Sequence, residues 1–442
     1  PRLIVLTDIG QDPDDQQSLV RLLHYANEFK IEGLIATADN NSDKEPPHIH
    51  DDIIHQLIDD YEKTWYNLNI HAKGFPKAEE LRKTVKKGNN KGGNSIPVND
   101  FIGKGFDTEG SEWIIKVVDQ PNTQPVCISV WGGACDVAQA LWKVKNTRSK
   151  KEVAEFVKRL CVYFIGKQDA SNQWIIDNFP DLWLILALDR SGDKWLSSYR
   201  GMFWGGDMSN TSKEWIHRNI HGHSPLADNY PDQTYTGGNG KNPHMALKEG
   251  DSPSMLFFIT NGLNCIKHPE WGGWGGRFTE DKPNFFRDTN DSFYDVSAGK
   301  IVTTPRASVF RWRNDFQNDF AARIDWGATS NYDLANHQPQ IAIKGKETEE
   351  VLIYQVFPGM QLKIDGTNTY DPDGDELTFE YFEYYEPGNC NEEINFAAND
   401  RGNCTLIIPD NTKGSTAHFI LKVTDNGKPK LCAYKRIVLQ IQ

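Results

Sequence analysis

Thr7-Asp8-Ile9-Gly10-Gln11-Asp12-Pro13-Asp14-Asp15 closes a short apolar run, Leu3–Thr7, and opens the segment Asp14 to Asn27, where Leu19, Leu22, Leu23 and Ala26 recur at helical spacing. The run reads as a buried strand and the segment as an amphipathic helix. Four carboxylates thus occupy eight positions where a strand ends and a helix begins. In open α/β sheets that crevice is where ligands bind. Gly10 permits a tight turn, and Pro13 suits a first helical turn. Helix capping accounts for one or two of the acids. Four crowded together repel one another and call for a cation, and hard oxygen ligands suggest Ca²⁺ or Mg²⁺. The spacing is not that of an EF-hand loop, which needs acids at alternate positions followed by Gly. Nor is it the Asp-x-Asp motif of phosphatases, because Ile9 is followed by Gly10.

Outward from this stretch the chain alternates. Ile31–Ala38, Pro125–Trp131, Arg159–Ile165 and Met255–Thr260 read as strands. Ile49–Trp65, with Ile53, Ile54, Leu57, Ile58 and Tyr61 on one face, and Ala134–Lys145 read as helices. The order predicts an α/β fold, an open, mostly parallel sheet flanked by helices with right-handed crossovers. After about Trp312 the texture changes. Val351–Val356, Gln361–Asp365, Leu377–Tyr385, Cys404–Ile408, His418–Val423 and Lys435–Ile441 are short β-type runs separated by Pro, Gly, Asn and Asp clusters. They predict an antiparallel β-sandwich. The expected division is an α/β domain over 1–320 and a sandwich over 340–442.

Composition bounds the partners. The 442 residues carry a net charge of 48 − 61 = −13, which argues against nucleic acid as a partner. The Lys-rich patches (Lys83, Lys86, Lys87, Lys91; Lys143 to Lys151) read as solvated faces. The longest apolar stretch is Leu182–Leu188, far below the ~18 residues of a membrane span. Pro1 directly precedes an apolar run, as it would after removal of a signal peptide or in a trimmed sequence. Of seven cysteines, Cys127, Cys135, Cys161 and Cys265 sit mostly in apolar runs and read as buried thiols. Cys390, Cys404 and Cys432 cluster near the C-terminus and leave room for one disulfide of undetermined pairing. No CxxC or Cys/His spacing suggests zinc.

The acidic stretch resembles the opening of the nucleoside hydrolase superfamily, in which Asp-x-Gly-x-Asp-Asp binds calcium and activates water. Here the stretch is longer, with Asp14-Asp15 displaced from Asp8 and Asp12 added. Thr37-Ala38-Asp39-Asn40-Asn41 is similar to the family's Thr-x-x-Gly-Asn, whose Asn touches the sugar. Trp131-Gly132-Gly133-Ala134-Cys135-Asp136 resembles its Gly-Pro-Leu-Thr-Asn segment, implying the Cys135 carbonyl as a metal ligand. Gly250-Asp251-Ser252-Pro253 sits where a late His-Asp supplies the last carboxylate, implying Asp251. More narrowly, the chain resembles a branch of cellulose-binding, nucleoside-hydrolase-like proteins with a C-terminal Ig-like domain. The shared runs are Asn178-Phe179-Pro180-Asp181-Leu182, Glu249–Ser254, Asn261-Gly262-Leu263-Asn264 and Trp271-Gly272-Gly273-Trp274-Gly275-Gly276-Arg277.

The resemblance implies hydrolysis of a glycosidic bond, furanoside or N-riboside-like, through an oxocarbenium-like state. Asp14 or Asp12 is the expected base; Asp8, Asp15, Asp251 and the Cys135 carbonyl are the expected ligands of Ca²⁺. Direct attack by water then inverts the anomeric carbon. Gly250 stands where the family has a leaving-group His; His221 and His223 are the upstream imidazoles available to replace it, with a surface or structural role for them equally open. Asn40, Asn41, Asn172, Asn178, His223 and Asn261 are the candidate polar contacts to a carbohydrate or nucleoside-like small molecule. Trp131, Trp174, Trp271 and Trp274 are candidate stacking platforms, with core packing as their bland alternative, and Arg277 is a candidate anion contact. Asp371-Pro-Asp373-Gly-Asp375 is explained by turn chemistry alone and leaves room for a structural Ca²⁺. The competing reading is a non-catalytic carbohydrate-binding protein on the same scaffold. An Ig-like module favours a secreted or periplasmic location, and assembly into a homo-oligomer is compatible with either reading.

Overall fold

The computed structural model describes residues 1–10, 12–38, 49–91, 96–233, 246–346 and 350–442. Its first part runs β1 (Arg2–Thr7), α1 (Pro13–His24), β2 (Lys30–Ala36), α2 (Asp51–His71), α3 (Ala78–Thr84), β3 (Val85–Lys87), α4 (Glu109–Val118), β4 (Val126–Val130), α5 (Cys135–Thr147), α6 (Lys150–Val157), β5 (Leu160–Ile165), α7 (Ala170–Asn178) and β6 (Trp183–Ala187). There follow α8 (Lys213–Asn219), α9 (Ser252–Leu256), β7 (Phe278–Lys282), β8 (Phe285–Asp288), β9 (Asp291–Asp295), β10 (Lys300–Thr304), α10 (Ala307–Phe310) and α11 (Arg313–Ala328). The C-terminal strands are β11 (Val351–Val356), β12 (Gln361–Ile364), β13 (Thr378–Glu383), β14 (Asn395–Ala398), β15 (Cys404–Ile407), β16 (Thr416–Thr424) and β17 (Cys432–Ile441).

One eight-stranded sheet has the order β3-β2-β1-β4-β5-β6-β8-β7, parallel throughout except for the β7–β8 pair. Both faces are covered, so β1 is apolar at successive positions. Leu3 and Val5 join the core that faces α1, α2 and α11; Ile4 and Leu6 join the core that faces α4, α5 and α7. This is why parallel strands read as continuous hydrophobic runs. The chain leaves β1 toward β2 on one side and later returns to β4 on the other, which makes the C-terminal ends of β1 and β4 the topological switch point.

Two expectations fail here. Met255–Thr260 is no strand: Ser252–Leu256 is a short buried helix, α9, and β8 occupies the slot beside β6. The disulfide is not in the C-terminal cluster. Cys127 and Cys161, register partners on the neighbouring strands β4 and β5, are joined, while Cys390, Cys404 and Cys432 are free. Adjacent parallel strands bring the two Cα atoms to 4.6 Å, inside the range a disulfide spans.

The C-terminal part packs a four-stranded sheet, β11-β17-β16-β13, on a three-stranded one, β12-β15-β14. Leu352, Phe419 and Ile437 from the first meet Leu362 and Leu406 from the second in one core, as in a β-sandwich. The pairing is antiparallel except that β11 runs parallel to β17. The acidic turn is self-bonded: Asp371 Oδ1 accepts from the Asp373 and Asp375 amides, and Asp373 pairs with His337 at 2.9 Å.

Candidate functional site

The acidic stretch folds as its residue types require. β1 ends at Thr7, whose hydroxyl donates to Asp15 and accepts from the Ile9 amide at 3.2 Å. Asp12 occupies the N-cap position of α1 in an extended conformation, with Pro13 as the first helical residue, yet its side chain makes no capping bond. It turns instead to Lys248, whose ammonium pairs with Asp12 and lies 3.8 Å from Asp14. From the far side, Asp251 at the start of α9 completes the group. Asp14, Asp15 and Asp251 each place an oxygen within 4.8 Å of the others. Asp8 adds its charge to both Asp15 and Asp251, and it lies so close to the β4–α5 turn that a methyl on Gly132 would come within 2.5 Å of its carboxyl carbon.

The electrostatics of this group point one way. Burial, then the charges of Asp8, Asp251 and Asp14, push Asp15 well above the carboxylate range. Burial, then Asp14 and Asp8, do the same to Asp251. Burial raises Asp14 to about 6 against the opposing pull of Lys248. Asp14 Oδ1 and Asp251 Oδ2 are buried without a hydrogen-bond partner. Such orphaned oxygens are costly unless something positive meets them. Hard oxygen donors, crowded and under-bonded, fit a divalent cation of the calcium class.

The acids floor a cleft of about 560 Å³. Its wall is the row of strand ends: Asp8 after β1, Trp131 after β4, Ile165 closing β5 and Leu188 after β6. The remaining rim carries Lys167, Gln168, Lys194, Tyr199, Arg200 and Gly250. The Arg200 guanidinium lies 4.6 Å from the ring centre of Trp195, and its charge also favours the ionised form of Asp14. A larger cavity, about 800 Å³, lies at the opposite ends of the strands beside Pro1, Lys30 and Gln124. It holds no convergent carboxylate set among the described residues.

Behind the cleft the Asp251 turn is anchored by charge. Glu249, fully buried, accepts from Arg21 of α1 at 2.5 and 3.0 Å, from Tyr230, and from Ser252 at 2.6 Å. The turn bearing Lys248 and Asp251 is thereby tied to the helix bearing Asp14 and Asp15.

The other sequence candidates scatter. Asn40 and Asn41 lie outside the described residues. Trp131 borders the cleft, but its ring is held in the core, with Nε1 donating to Ser129 at 2.8 Å and Ser254 at 3.0 Å. Asn172 accepts the Gln168 and Asp169 amides at 3.0 and 3.1 Å at the start of α7, while its Nδ2 is buried without a hydrogen-bond partner. Trp174 packs on Phe179. Asn178 accepts from Lys145 on the outer surface, and Asn261 accepts the Leu263 and Asn264 amides. His223 pairs with Asp325 at 2.8 Å and His221 with the Tyr230 carbonyl at 2.7 Å, so neither reaches the cleft. Cys135 opens α5 with its thiol 3.9 Å from Asp136; the role expected of it belongs to its carbonyl oxygen.

The Trp271–Arg277 loop is the clearest correction. It is a buried joint between the two parts of the chain, not a set of exposed platforms. Trp271 stacks on His268 at 3.9 Å and meets His418 of β16 edge-on; Trp274 lies between Phe316 and Tyr434 of β17. A methyl on Gly272 would come within 2.4 Å of the Tyr384 hydroxyl, and one on Gly273 within 2.0 Å of Asn264 Oδ1. The glycines serve close packing, and Arg277 serves a buried ion pair with Asp291 at 2.6 Å.

Reading the sequence overlooked Lys248 and Arg200. Lys248 had one usable signal, its place beside Glu249-Gly250-Asp251. Arg200 had none. His50 was also passed over, although a methyl on Gly10 would lie 2.3 Å from its ring.

Residues 2–278 match the family described as cellulose-binding Sde182, nucleoside hydrolase-like domain, and residues 361–441 match the C-terminal domain of the cellulose-binding protein Sde0182. No curated protein matches the chain. It is similar, at 31% identity and a TM-score of 0.83 over 100% of this chain and 99% of the other, to a nucleoside hydrolase-related hypothetical protein from Saccharophagus degradans that is associated with carbohydrate metabolism. A partial likeness to the human CDH23 EC21-23 structure, 14% identical over 24% of this chain and 33% of that one, has a TM-score of 0.18 and carries no weight. With one model matched over most of the α/β part, a second over the sandwich, and a full-length relative of the same fold, the chain belongs to the Sde182 family of cellulose-binding, nucleoside hydrolase-like proteins.

Proposed function

We propose that the chain is a calcium-dependent hydrolase that cleaves a glycosidic bond of a carbohydrate by direct attack of water. The observation that carries this reading is the convergence of Asp14, Asp15 and Asp251 within 4.8 Å, two of them with orphaned buried oxygens, at the switch point of the sheet. Asp8, Asp15, Asp251 and the Cys135 carbonyl are the proposed cation ligands. Calcium, when bound, supplies the positive charge that acidifies a water and grips sugar hydroxyls. Asp14, partly exposed to the cleft and with its pKa raised to about 6, is the proposed proton acceptor, and Asp12 is its alternate. Lys248 holds Asp12. Arg200 and Gln168 on the facing rim are placed to orient a sugar ring. No carboxylate stands opposite the acids among the described lining residues, which supports inversion over a covalent intermediate. A carbohydrate substrate is supported by the cellulose-binding description of the family and by the relative's association with carbohydrate metabolism. No described helix is long and apolar enough to cross a membrane. The Cys127–Cys161 disulfide supports export to an oxidising compartment.

The test is a screen of released sugars from aryl furanosides, nucleosides and plant polysaccharides, with chelator and with calcium restored. Calcium-dependent release supports the proposal. Retention on insoluble cellulose with no release under any condition would establish the second reading, a binding protein. One observation favours that second reading: Lys248 already neutralises part of the acidic group. Lys248→Met separates the two. Under the hydrolase reading, removing a cation a few ångströms from the ligands strengthens calcium binding by about 1 kcal/mol, roughly fivefold in Kd. Calorimetry that finds no calcium binding in either the native chain or the variant would leave only the binding role.

A further inference from the structure

A second group of ligating side chains lies outside the acidic cleft, and its chemistry differs. His217 of α8, His221 in the turn after that helix, and Asp232 each offer an atom within 4.8 Å of the other two. His217 Nε2 lies 2.5 Å from Asp232 Oδ2, and the two imidazole rings face each other at 5.1 Å between centroids, tilted by 32°. We propose that His217, His221 and Asp232 form a separate site for a borderline transition cation, with Zn²⁺ as the best-matched ion.

A simple ion pair between His217 and Asp232 accounts for one of these contacts but not for the second imidazole brought to the same point. His221 Nε2 lies 2.7 Å from the Tyr230 carbonyl. An N–H donated there leaves the lone pair of the neutral ring on Nδ1, the tautomer that metal-bound histidines adopt when a backbone carbonyl orients them. Ligands about 2.0–2.1 Å from zinc in a tetrahedron stand roughly 3.3 Å apart. The three ligand atoms lie within 4.8 Å of one another, so small side-chain rotations reach that spacing, with His217 and Asp232 moving apart from their 2.5 Å contact. Half of the His217 side chain is exposed, so an ion can enter and a water can hold the fourth position. Two imidazoles and one carboxylate suit zinc, whereas calcium takes an all-oxygen set. Lys213 is the resident competitor, 2.9 Å from the same Asp232 oxygen.

The site spans two segments that back the cleft. Gln16 and Gln17 of α1 donate to the Asn229 and Pro231 carbonyls at 2.8 and 2.7 Å. An ion held here fastens that segment to α8 behind the helix bearing Asp14 and Asp15, which makes it a structural clamp rather than a second reaction centre.

The experiment is calorimetric titration of ZnCl₂ into the full chain saturated with calcium. One equivalent should bind. His217→Ala and His221→Ala should each weaken it at least about 30-fold, Lys213→Met should tighten it, and Asp251→Asn should leave it unchanged. Zinc-edge anomalous diffraction of the native chain should place the ion between the two rings, a readout that does not depend on how any variant folds. Zinc affinity unaltered by the double His217→Ala/His221→Ala substitution, zinc lost on Asp251→Asn, or an anomalous peak in the acidic cleft alone would each overturn the proposal.

Discussion

Under the proposed calcium-dependent hydrolysis, Asp251→Asn should abolish any rise in Tm on adding calcium, lower glycoside turnover by at least about a thousandfold, and raise the Tm of the calcium-free protein. The three effects share one cause. Asp251 is buried at 3% exposure among Asp8, Asp14 and Asp15, with one oxygen unpartnered. Without a cation the carboxylate destabilises the fold; the neutral, nearly isosteric amide relieves about 1–2 kcal/mol of desolvation and repulsion. With a cation the same carboxylate is a ligand that an amide replaces poorly. A loss of several kcal/mol of charge stabilisation corresponds to about three decades in rate. Thermal melts at a fixed pH, with chelator and with calcium, check the first and third effects. Unchanged melts under both conditions would sink the assignment of Asp251 as a ligand.

The same group gives a pH dependence of definite sign. Asp14 titrates at about 6 in the fold, against about 3.9 in an unfolded chain. Between those values the unfolded chain has given up a proton that the native state keeps. The stability of the calcium-free protein therefore falls as pH rises from about 4 to 6. Calcium, which favours the ionised group, should contribute more stability at pH 7 than at pH 4. A calcium effect on Tm that is flat across that range would contradict the burial of these carboxylates beside the ion.

What the sequence disclosed, and what it hid, divides by range. The strand ending at Thr7 and the crowd of acids behind it are local, so β1, α1 and the part of the cleft floor they carry could be read from residues 3–27. Asp251 could be found only through resemblance, because 236 residues separate it from Asp15. The short run Met255–Thr260 is apolar because the end of α9 and the residues after it, through Ile259, are buried, and periodicity cannot tell that from a central strand. Cys127 and Cys161 pair because β4 and β5 are neighbours in register, a fact of topology rather than of cysteine spacing. The Trp and Gly alternation at Trp271–Gly276 looked like an open binding loop. The missing information was the sandwich, which presses Tyr384, His418 and Tyr434 onto it. Lys248 escaped because its one signal, adjacency to Glu249-Gly250-Asp251, does not tell that in space it is the counter-charge of the acidic turn.

Asp291→Ala should cost about 3–5 kcal/mol of unfolding free energy, the largest loss expected from any single change at the joint between the two parts of the chain. Asp291 opens β9 with no exposed surface. Its Oδ1 accepts from Arg277 Nε at 2.6 Å, and its Oδ2 accepts from Arg311 Nη1 at 2.8 Å and from the Tyr384 hydroxyl of the sandwich at 2.6 Å. Alanine leaves two buried guanidinium groups without their shared carboxylate, with Glu386, 3.2 Å from Arg311, and the Asn290 carbonyl, which accepts from Arg277, in partial compensation. Removing one member of a buried ionic cluster is far more damaging than the cluster's net worth, because the stranded charges keep their desolvation cost. Tyr384→Phe removes one hydrogen bond and should cost only about 1–2 kcal/mol. Urea unfolding followed by tryptophan fluorescence is suited to the comparison, since Trp271, Trp274 and Trp312 all sit at this joint. If the sandwich is docked through this cluster, Asp291→Ala should also split a single transition into two, the sandwich releasing first. A loss no greater than that of Tyr384→Phe would mean that the aromatic packing of Trp271 and Trp274, not the ionic cluster, holds the two parts together.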